Sequence, residues 1–185
     1  YPEIDQAGWR GRAGDEVTER RLRAVVQAIA ECLRADGLDK LPLIVGYDSR
    51  VHAGYLARLV AETLAAQGQP VRLCVRDAPT PALVAHLTGV LGIGGAAGII
   101  ACTASSLPVK EAGAVRYTGH EYQGLRYLTP AGSLPAAEWS MRVSRRTAEL
   151  LLNAATPPAD SPGEVTVIAP GADYQDGLLA AMQYP

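Results

Sequence analysis

The chain has no phenylalanine among its 185 residues, no apolar run near the ~20 residues a membrane span requires, and no surplus of basic charge. Leucine, valine, isoleucine, alanine and eight tyrosines must therefore fill its interior. A formal charge of -2 and an isoelectric point near 5.9 exclude a general nucleic-acid surface, which would need a strongly basic face. Cys32, Cys74 and Cys102 stand singly inside apolar segments, without paired or metal-ligand spacing, so three buried thiols are expected. His52, His86 and His120 share no metal-like spacing either. Tyr1–Arg12 holds no apolar h-region; with the unpaired cysteines, this leads to the expectation of a reducing, cytoplasmic compartment. No repeat or low-complexity tract is present.

What remains reads as alternating strands and helices. Thr18 is a good N-cap, and Leu22, Val25, Val26, Ile29 and Leu33 recur at helical spacing until Asp36-Gly37. Leu43–Gly46 predicts a short buried strand, Leu56, Leu59, Val60 and Leu64 a helix, and Val71–Val75 the next strand. Such alternation predicts an α/β chain with a parallel sheet. Asp77–Pro81 is a stiff turn that starts a helix with Pro81 at its first position, carrying Leu83, Val84, Leu87 and Leu91. Gly92-Ile-Gly94-Gly-Ala-Ala97 fits a dinucleotide pattern on paper, but it follows a helix and precedes a strand, the wrong order, and reads as a helix stop and loop.

Gly98–Cys102 is apolar and small enough for a buried strand. It runs straight into Thr103, Ala104, Ser105 and Ser106 before Pro108 ends ladder pairing. Hydroxyls are thus presented at a strand's C-terminal end, the edge where open α/β sheets bind ligands. Tyr1–Gly14, rich in glycine, is expected to be a loop carrying Arg10 and Arg12. Tyr47-Asp48-Ser49-Arg50 is a polar loop on the same edge as Ser105; Arg50 either faces that site or merely pairs with Asp48. Ala114–Tyr117 and Leu125–Leu128 are expected to pair as a hairpin. Trp139, Val143 and Leu150 predict a further helix, Asn153–Gly163 a linker, Val165–Ile168 a strand and Tyr174–Met182 a helix. The expected organisation is one domain over 1–153, a linker over 154–163, and over 164–185 the start of a second domain or a partner-docking segment.

Four landmarks in this order resemble the N-terminal domain of the α-D-phosphohexomutases, the phosphoglucomutase and phosphomannomutase family. Gly8-Trp9-Arg10-Gly11 resembles its opening GTSGxRG segment, and Val45-Gly46-Tyr47-Asp48-Ser49-Arg50 its (V/I)GxDxR loop. Pro79-Thr80-Pro81 resembles its TP turn, and Thr103-Ala104-Ser105 with Pro108 its TASHNP phosphoserine loop. The resemblance implies a mixed, mostly parallel sheet flanked by helices in three layers, α/β/α, and an isomerase-type phosphotransferase acting on a hexose phosphate through a bisphosphorylated sugar. Ser105 would carry the phosphoryl group, with Arg10 as a catalytic cation and Arg50, Ser106 and Arg116 facing phosphate. It also implies Mg2+, which would meet this chain at Ser105 through its phosphate, the carboxylate ligands lying elsewhere. The chemistry of the residues agrees: a phosphoserine adds nearly two negative charges, and a planar guanidinium meets them in a bidentate fork.

The departures from the family pattern define the alternative. Ser106 and Leu107 stand where the family has His-Asn, and Gln6-Ala7 where it opens with Thr-Ser. Its Asn-Gly-x-Lys is set against Ala112-Gly113-Ala114-Val115, with Arg116 one place late for the lysine. The family's DxDGD-type and GE(M/Y)SG-type segments, from later domains, do not occur here. The chain would thus need further domains, a homo-oligomer or a partner chain, or else serve as a degenerate phosphosugar-binding or protein-interaction module, with no part for nucleic acid or membrane.

Overall fold

The computed structural model describes residues 2–104, 121–153 and 161–182, and the backbone of 108–111 and 114–117. Its centre is a six-stranded sheet. In chain order the strands are β1 (Trp9–Arg12), β2 (Leu43–Tyr47), β3 (Val71–Cys74), β4 (Gly98–Cys102), β7 (Tyr122–Leu128) and β8 (Val165–Ile168), arranged β1-β7-β4-β2-β3-β8. β2 runs parallel to β3 and β4, β8 runs parallel to β3, and β7 is antiparallel to both β4 and β1. The predicted α/β class holds.

Helices cover both faces. On one lie α1 (Glu19–Ala35), α2 (Ala53–Ala66) and α4 (Ala137–Leu152), whose apolar stripes bury Leu22, Ile29, Leu33, Val60, Leu64 and Val143 against Leu43, Val45, Ile100 and Leu125. The Thr18 hydroxyl accepts from Arg21 N at 3.3 Å and so caps α1. Trp139 fixes α4 by stacking on Tyr127, 4.4 Å between ring centres, and by donating its indole N–H to Asp36 at 3.0 Å. On the other face α3 (Thr80–Ala85), continuing as a π-helical turn over His86–Leu91, buries Leu83 and Leu87 against Ile44, Ile99 and Leu128. α5 (Pro170–Met182) packs beside α3. The helix after Pro79 has Thr80 at its first position, so Pro81 stands at the second, where its missing N–H is still an orphan. Gly92–Ala97 is the expected loop. Among the described residues no helix is long and apolar enough to cross a membrane.

Two expectations are overturned. The glycine-rich entry segment, expected as a loop, contains the strand β1. Gly8 there permits close approach, since a Cβ on it would stand 2.3 Å from the Leu125 carbonyl oxygen, as one on Gly124 of β7 would stand 2.0 Å from that of Trp9, while Gly14, with φ of 81°, does turn the chain. The expected hairpin of 114–117 with 125–128 does not form. β6 (Ala114–Tyr117) pairs with β5 (Pro108–Glu111) as a separate two-stranded ribbon, while β7 lies inside the main sheet. The cause is burial: Gln123, Gly124, Leu125, Tyr127 and Leu128 are all buried, a run that only a covered strand can use. β4 itself ends at Cys102, before Pro108, which instead opens β5 in register with Tyr117, a position where a strand tolerates proline.

β8 and α5 expose Val165, Val167, Leu178, Leu179 and Met182. Gly163 donates to Ala65 O at 2.7 Å, which brings the end of the expected linker against the α2–β3 turn. Residues 154–160 of that linker lie outside the described part.

Two stability measurements check this packing. Gly124→Ala forces backbone apart and is expected to cost about 1–3 kcal/mol in urea denaturation. Gly177→Ala, on open α5 with nothing within 4 Å of the added carbon, is expected to be neutral or to stabilise by up to about 1 kcal/mol. The second concerns the thiols, all three buried as expected. Burial pushes the Cys74 thiol from 9.0 up to about 12 and raises Cys102 as well, with Asp48 adding to the rise. The folded chain holds these protons more tightly than the unfolded chain, so their stabilisation is complete below about pH 9 and is lost progressively as pH rises toward 12. Denaturation midpoints across that window should fall, and fall less in Cys74→Ala.

Candidate functional site

The C-terminal edge of β4 is organised by register. Arg10 on β1 stands opposite Gly124 on β7, the Gly124 carbonyl accepts from Thr103 N at 3.1 Å, and the Thr103 hydroxyl donates to Asp48 Oδ2 at 2.7 Å. Arg10, Gly124, Thr103 and Asp48 therefore form one row across four neighbouring strands. At roughly 4.8 Å per strand, Arg10 and Thr103 are about 10 Å apart at their Cα atoms, with a residue lacking a side chain between them.

Alternation decides which face the row uses. Trp9, Leu125 and Cys102 belong to the core beneath α1, α2 and α4, so Arg10, Gly124 and Thr103, one step along each strand, fall on the α3 side. The apolar cluster on that side draws on β2, β3, β4 and Leu128 but on no described residue of β1. Arg10 thus sits where the sheet has no apolar cover. One of its guanidinium nitrogens, Nη1, is buried without a hydrogen-bond partner among the described residues. A buried orphan donor on a cation is costly unless an acceptor arrives.

A second cation stands beside it. Arg126 pairs in register with Ala101, two residues along β7 from Gly124 and on the same face. Its Nε donates to Ala7 O at 3.0 Å. Its pKa is lowered, first by burial and then by the Arg10 charge, against the opposing pull of Asp5. Two guanidinium groups that repel one another, one with an unsatisfied donor, make a ready site for a multivalent anion.

Arg50 arrives from the loop after β2. Its Nε lies 3.2 Å from Asp48 Oδ2, and its backbone N–H donates to Asp48 Oδ1 at 3.1 Å. Arg50 therefore pairs with Asp48, the carboxylate that also holds Thr103, while Ser105, the other partner considered for it, lies outside the described residues. Gly46 on β2 lets α3 pack close to the sheet beneath this loop, because a Cβ there would meet the Leu83 methyls at 2.5 and 2.6 Å. His52 ends the loop with φ of 66°, a strained conformation for a residue with a side chain.

Ser105 and Ser106 lie outside the described residues, as does His120. Arg116 falls on β6, in register with Val109 on the separate ribbon. The reading of the sequence missed Arg126. Its signal was the later run Gln123-Gly124-Leu125-Arg126, which matches Asn-Gly-x-Lys with a conservative change at both ends and better than the earlier run at 112–115. Arg10 also lines a cavity of about 500 Å3, but its walls include Glu3, Asp5, Asp15 and Glu16 and neither Arg50 nor Thr103, so its charge disfavours an anion there. Among the described residues no group of three or more histidine, cysteine or carboxylate side chains could hold a metal, and Asp48 is already engaged by Thr103 and Arg50. The described residues do not by themselves fit Mg2+.

Comparison with known proteins follows the same line. The family model for phosphoglucomutase/phosphomannomutase, alpha/beta/alpha domain I, matches residues 3–128. Among solved structures the chain is similar to a "putative phosphomannomutase" from Thermus thermophilus, at 23% identity and a TM-score of 0.75, over 98% of this chain and 36% of that one. It is also similar to a phosphoglucomutase/phosphomannomutase family protein from Burkholderia thailandensis, at 18% identity, a TM-score of 0.71, and 96% and 35% coverage. A third is parafusin, a phosphoglucomutase from Paramecium in its open form, at 20% identity, a TM-score of 0.69, and 98% and 35% coverage. At these identities the likeness is one of fold, and the chain spans about a third of their length. No curated protein matches it.

If the Arg10 donor awaits an anion, Arg10→Met should leave the phosphate-free chain as stable as the parent or more so, since it removes an orphaned buried donor and a like-charge contact. Inorganic phosphate should raise the melting temperature of the parent chain and leave that of Arg10→Met unchanged.

Proposed function

The chain belongs to the phosphoglucomutase/phosphomannomutase family, and from that premise we propose that it carries the phosphoryl-holding part of a phosphohexomutase. Ser105 takes a phosphoryl group from a bisphosphorylated hexose and returns it to a hexose monophosphate. In the first step the Ser105 hydroxyl oxygen bonds to phosphorus as the bond from phosphorus to the sugar oxygen breaks, and the hydroxyl proton passes, directly or through water, to the leaving sugar oxygen, which departs as a sugar hydroxyl. Arg10, Arg126 and Arg50 neutralise the charge that builds on the phosphoryl oxygens, and Ser106 and Arg116 are further phosphate-facing candidates. Phosphoryl transfer asks mainly for such positioning and charge neutralisation.

The observation that carries this reading is the buried Arg10 Nη1, unpartnered among the described residues, beside Arg126 and at the level of Thr103 on the β4 edge. A guanidinium held there without an acceptor is explained by an anion that comes and goes. Mg2+ enters as a family trait; it would add charge neutralisation with ligands from outside the described residues. The contacts to the sugar and its second phosphate come from further domains or a partner chain, for which the exposed apolar residues of β8 and α5 are a docking surface.

A second reading, a module that binds a phosphosugar without turning it over, is favoured by one specific feature. Arginine at position 126 keeps the positive charge of the family's lysine but cannot give up a proton at any working pH. Intact-mass analysis after incubation with a hexose bisphosphate separates the two. The gain of one phosphoryl mass, lost in Ser105→Ala, retained in Ser106→Ala and slowed about 100-fold or more in Arg10→Met, is expected for the transfer reading. Binding of the sugar with no covalent gain supports the module, and neither gain nor binding would sink both.

A further inference from the structure

Gln123 is 1% exposed, on β7 between the ribbon and Gly124. It lies on the α2 side of the sheet, opposite Gly11, which presents no side chain to crowd it. Its Nε2 donates to the carbonyl oxygen of Val51 in the loop between β2 and α2. Because the acceptor is a carbonyl, the amide must face it with its NH2 group. The other end of the amide, Oε1, is buried and has no hydrogen-bond partner among the described residues.

As a contribution to stability this is a poor arrangement. A buried amide with one end unsatisfied loses solvation that it does not recover, and an apolar side chain of the same shape would pack there at lower cost. What the side chain does accomplish is a link of 72 residues in sequence, from a covered strand to an exposed loop. That loop begins with Asp48 and Arg50 and ends at His52, whose left-handed backbone must be held in place by its surroundings. Val51 itself is 57% exposed and has little packing to fix it.

We infer that Gln123 is a positioning residue, which fixes the Asp48–His52 loop to β7 and so sets where the Arg50 guanidinium stands relative to the row of Arg10, Thr103 and Asp48. It touches no reacting atom. This rests on the proposed role of Arg50 at a phosphoryl site, and it gives a task to the side chain that stands where the family pattern Asn-Gly-x-Lys has its asparagine.

Gln123→Met keeps length and volume while deleting the donor. The full chain carrying it is expected to match or exceed the parent in denaturation midpoint. Amide hydrogen exchange at Arg50 and Ala53 should nevertheless rise roughly five- to tenfold, the worth of one hydrogen bond, with β4 unchanged. Cleavage by trypsin after Arg50 should quicken in step. On phosphoryl uptake from hexose bisphosphate, Gln123→Met should slow the parent chain yet add nothing in an Arg50→Met background, a coupling that a general loss of packing would not produce. Unchanged exchange at 50–53, exchange raised equally throughout the chain, or additive effects of the two substitutions would overturn the inference. If Gln123→Met fails to fold, Gln123→Asn, one methylene short of Val51, is read in the same way. A parent chain that takes up no phosphoryl group counts against the proposed function alone, because the exchange and cleavage results decide the tether by themselves.

Discussion

The contact between the backbones of β1 and β7 is what the site depends on. It is close enough that a Cβ on Gly124 would lie 2.0 Å from the Trp9 carbonyl oxygen, so no residue but glycine fits without moving a strand. This closeness brings β1, from the start of the chain, into the same sheet as β4 and puts Arg10 at the level of Thr103. The pairing also reverses twice, β7 against β4 and β1 against β7, so β1 runs in the same direction as β4. Arg10 consequently arrives at the edge where β4 ends. With any other order of these three strands it would be on a different neighbour or at a different level.

Much of this was legible in the sequence where burial and period agree. The helix from Thr18 to Asp36 and the strands at 43–47, 71–74 and 98–102 were readable because each has one strong pattern and a clear stop. The Asp48–Arg50 loop and the Thr103 edge were placed correctly for the same reason. What escaped was β1, because glycine signals a turn in local terms, and the reason it serves in a strand here is a second strand more than a hundred positions away, as the pairing of Arg10 with Gly124 shows. The partner of β7 escaped too. Alternation says that a segment is a strand but not which neighbour it takes, and β5, which claims β6, opens with a proline that reads as an ending. Arg126 was hidden behind that error: with 125–128 assigned to a hairpin, its arginine had no reason to face Arg10.

The cations at the edge form a graded set. Arg50 is compensated by Asp48, which is itself held by Thr103, so its position is fixed and its charge partly neutralised. Arg126 gives one donor to the Ala7 carbonyl and is destabilised as a cation by burial and by Arg10. Arg10 keeps a buried donor with no acceptor among the described residues. An incoming dianion gains most from the cation with the least prior compensation, so on the proposed reading Arg10 would carry the larger part of the binding energy and Arg50 the larger part of the geometry.

That division bears on which chemistry survives at the edge. On the proposed reading charge neutralisation and positioning are kept, with Arg10 on β1 beside Arg126 on β7 and Arg50 of the β2–α2 loop tied to Asp48. Proton transfer is not: the lysine of the family pattern is an arginine here, the histidine after the serine is Ser106, and Asp48 is bound on both oxygens. A serine that accepts a phosphoryl group from a good donor needs its charge managed first and its proton removed second, and water can do the latter slowly. Under the proposed function a site of this composition would therefore hold a phosphoryl group better than it passes one on. Rapid return of that group to a sugar requires a base supplied from outside the described residues, by another domain or another chain closing over the exposed edge.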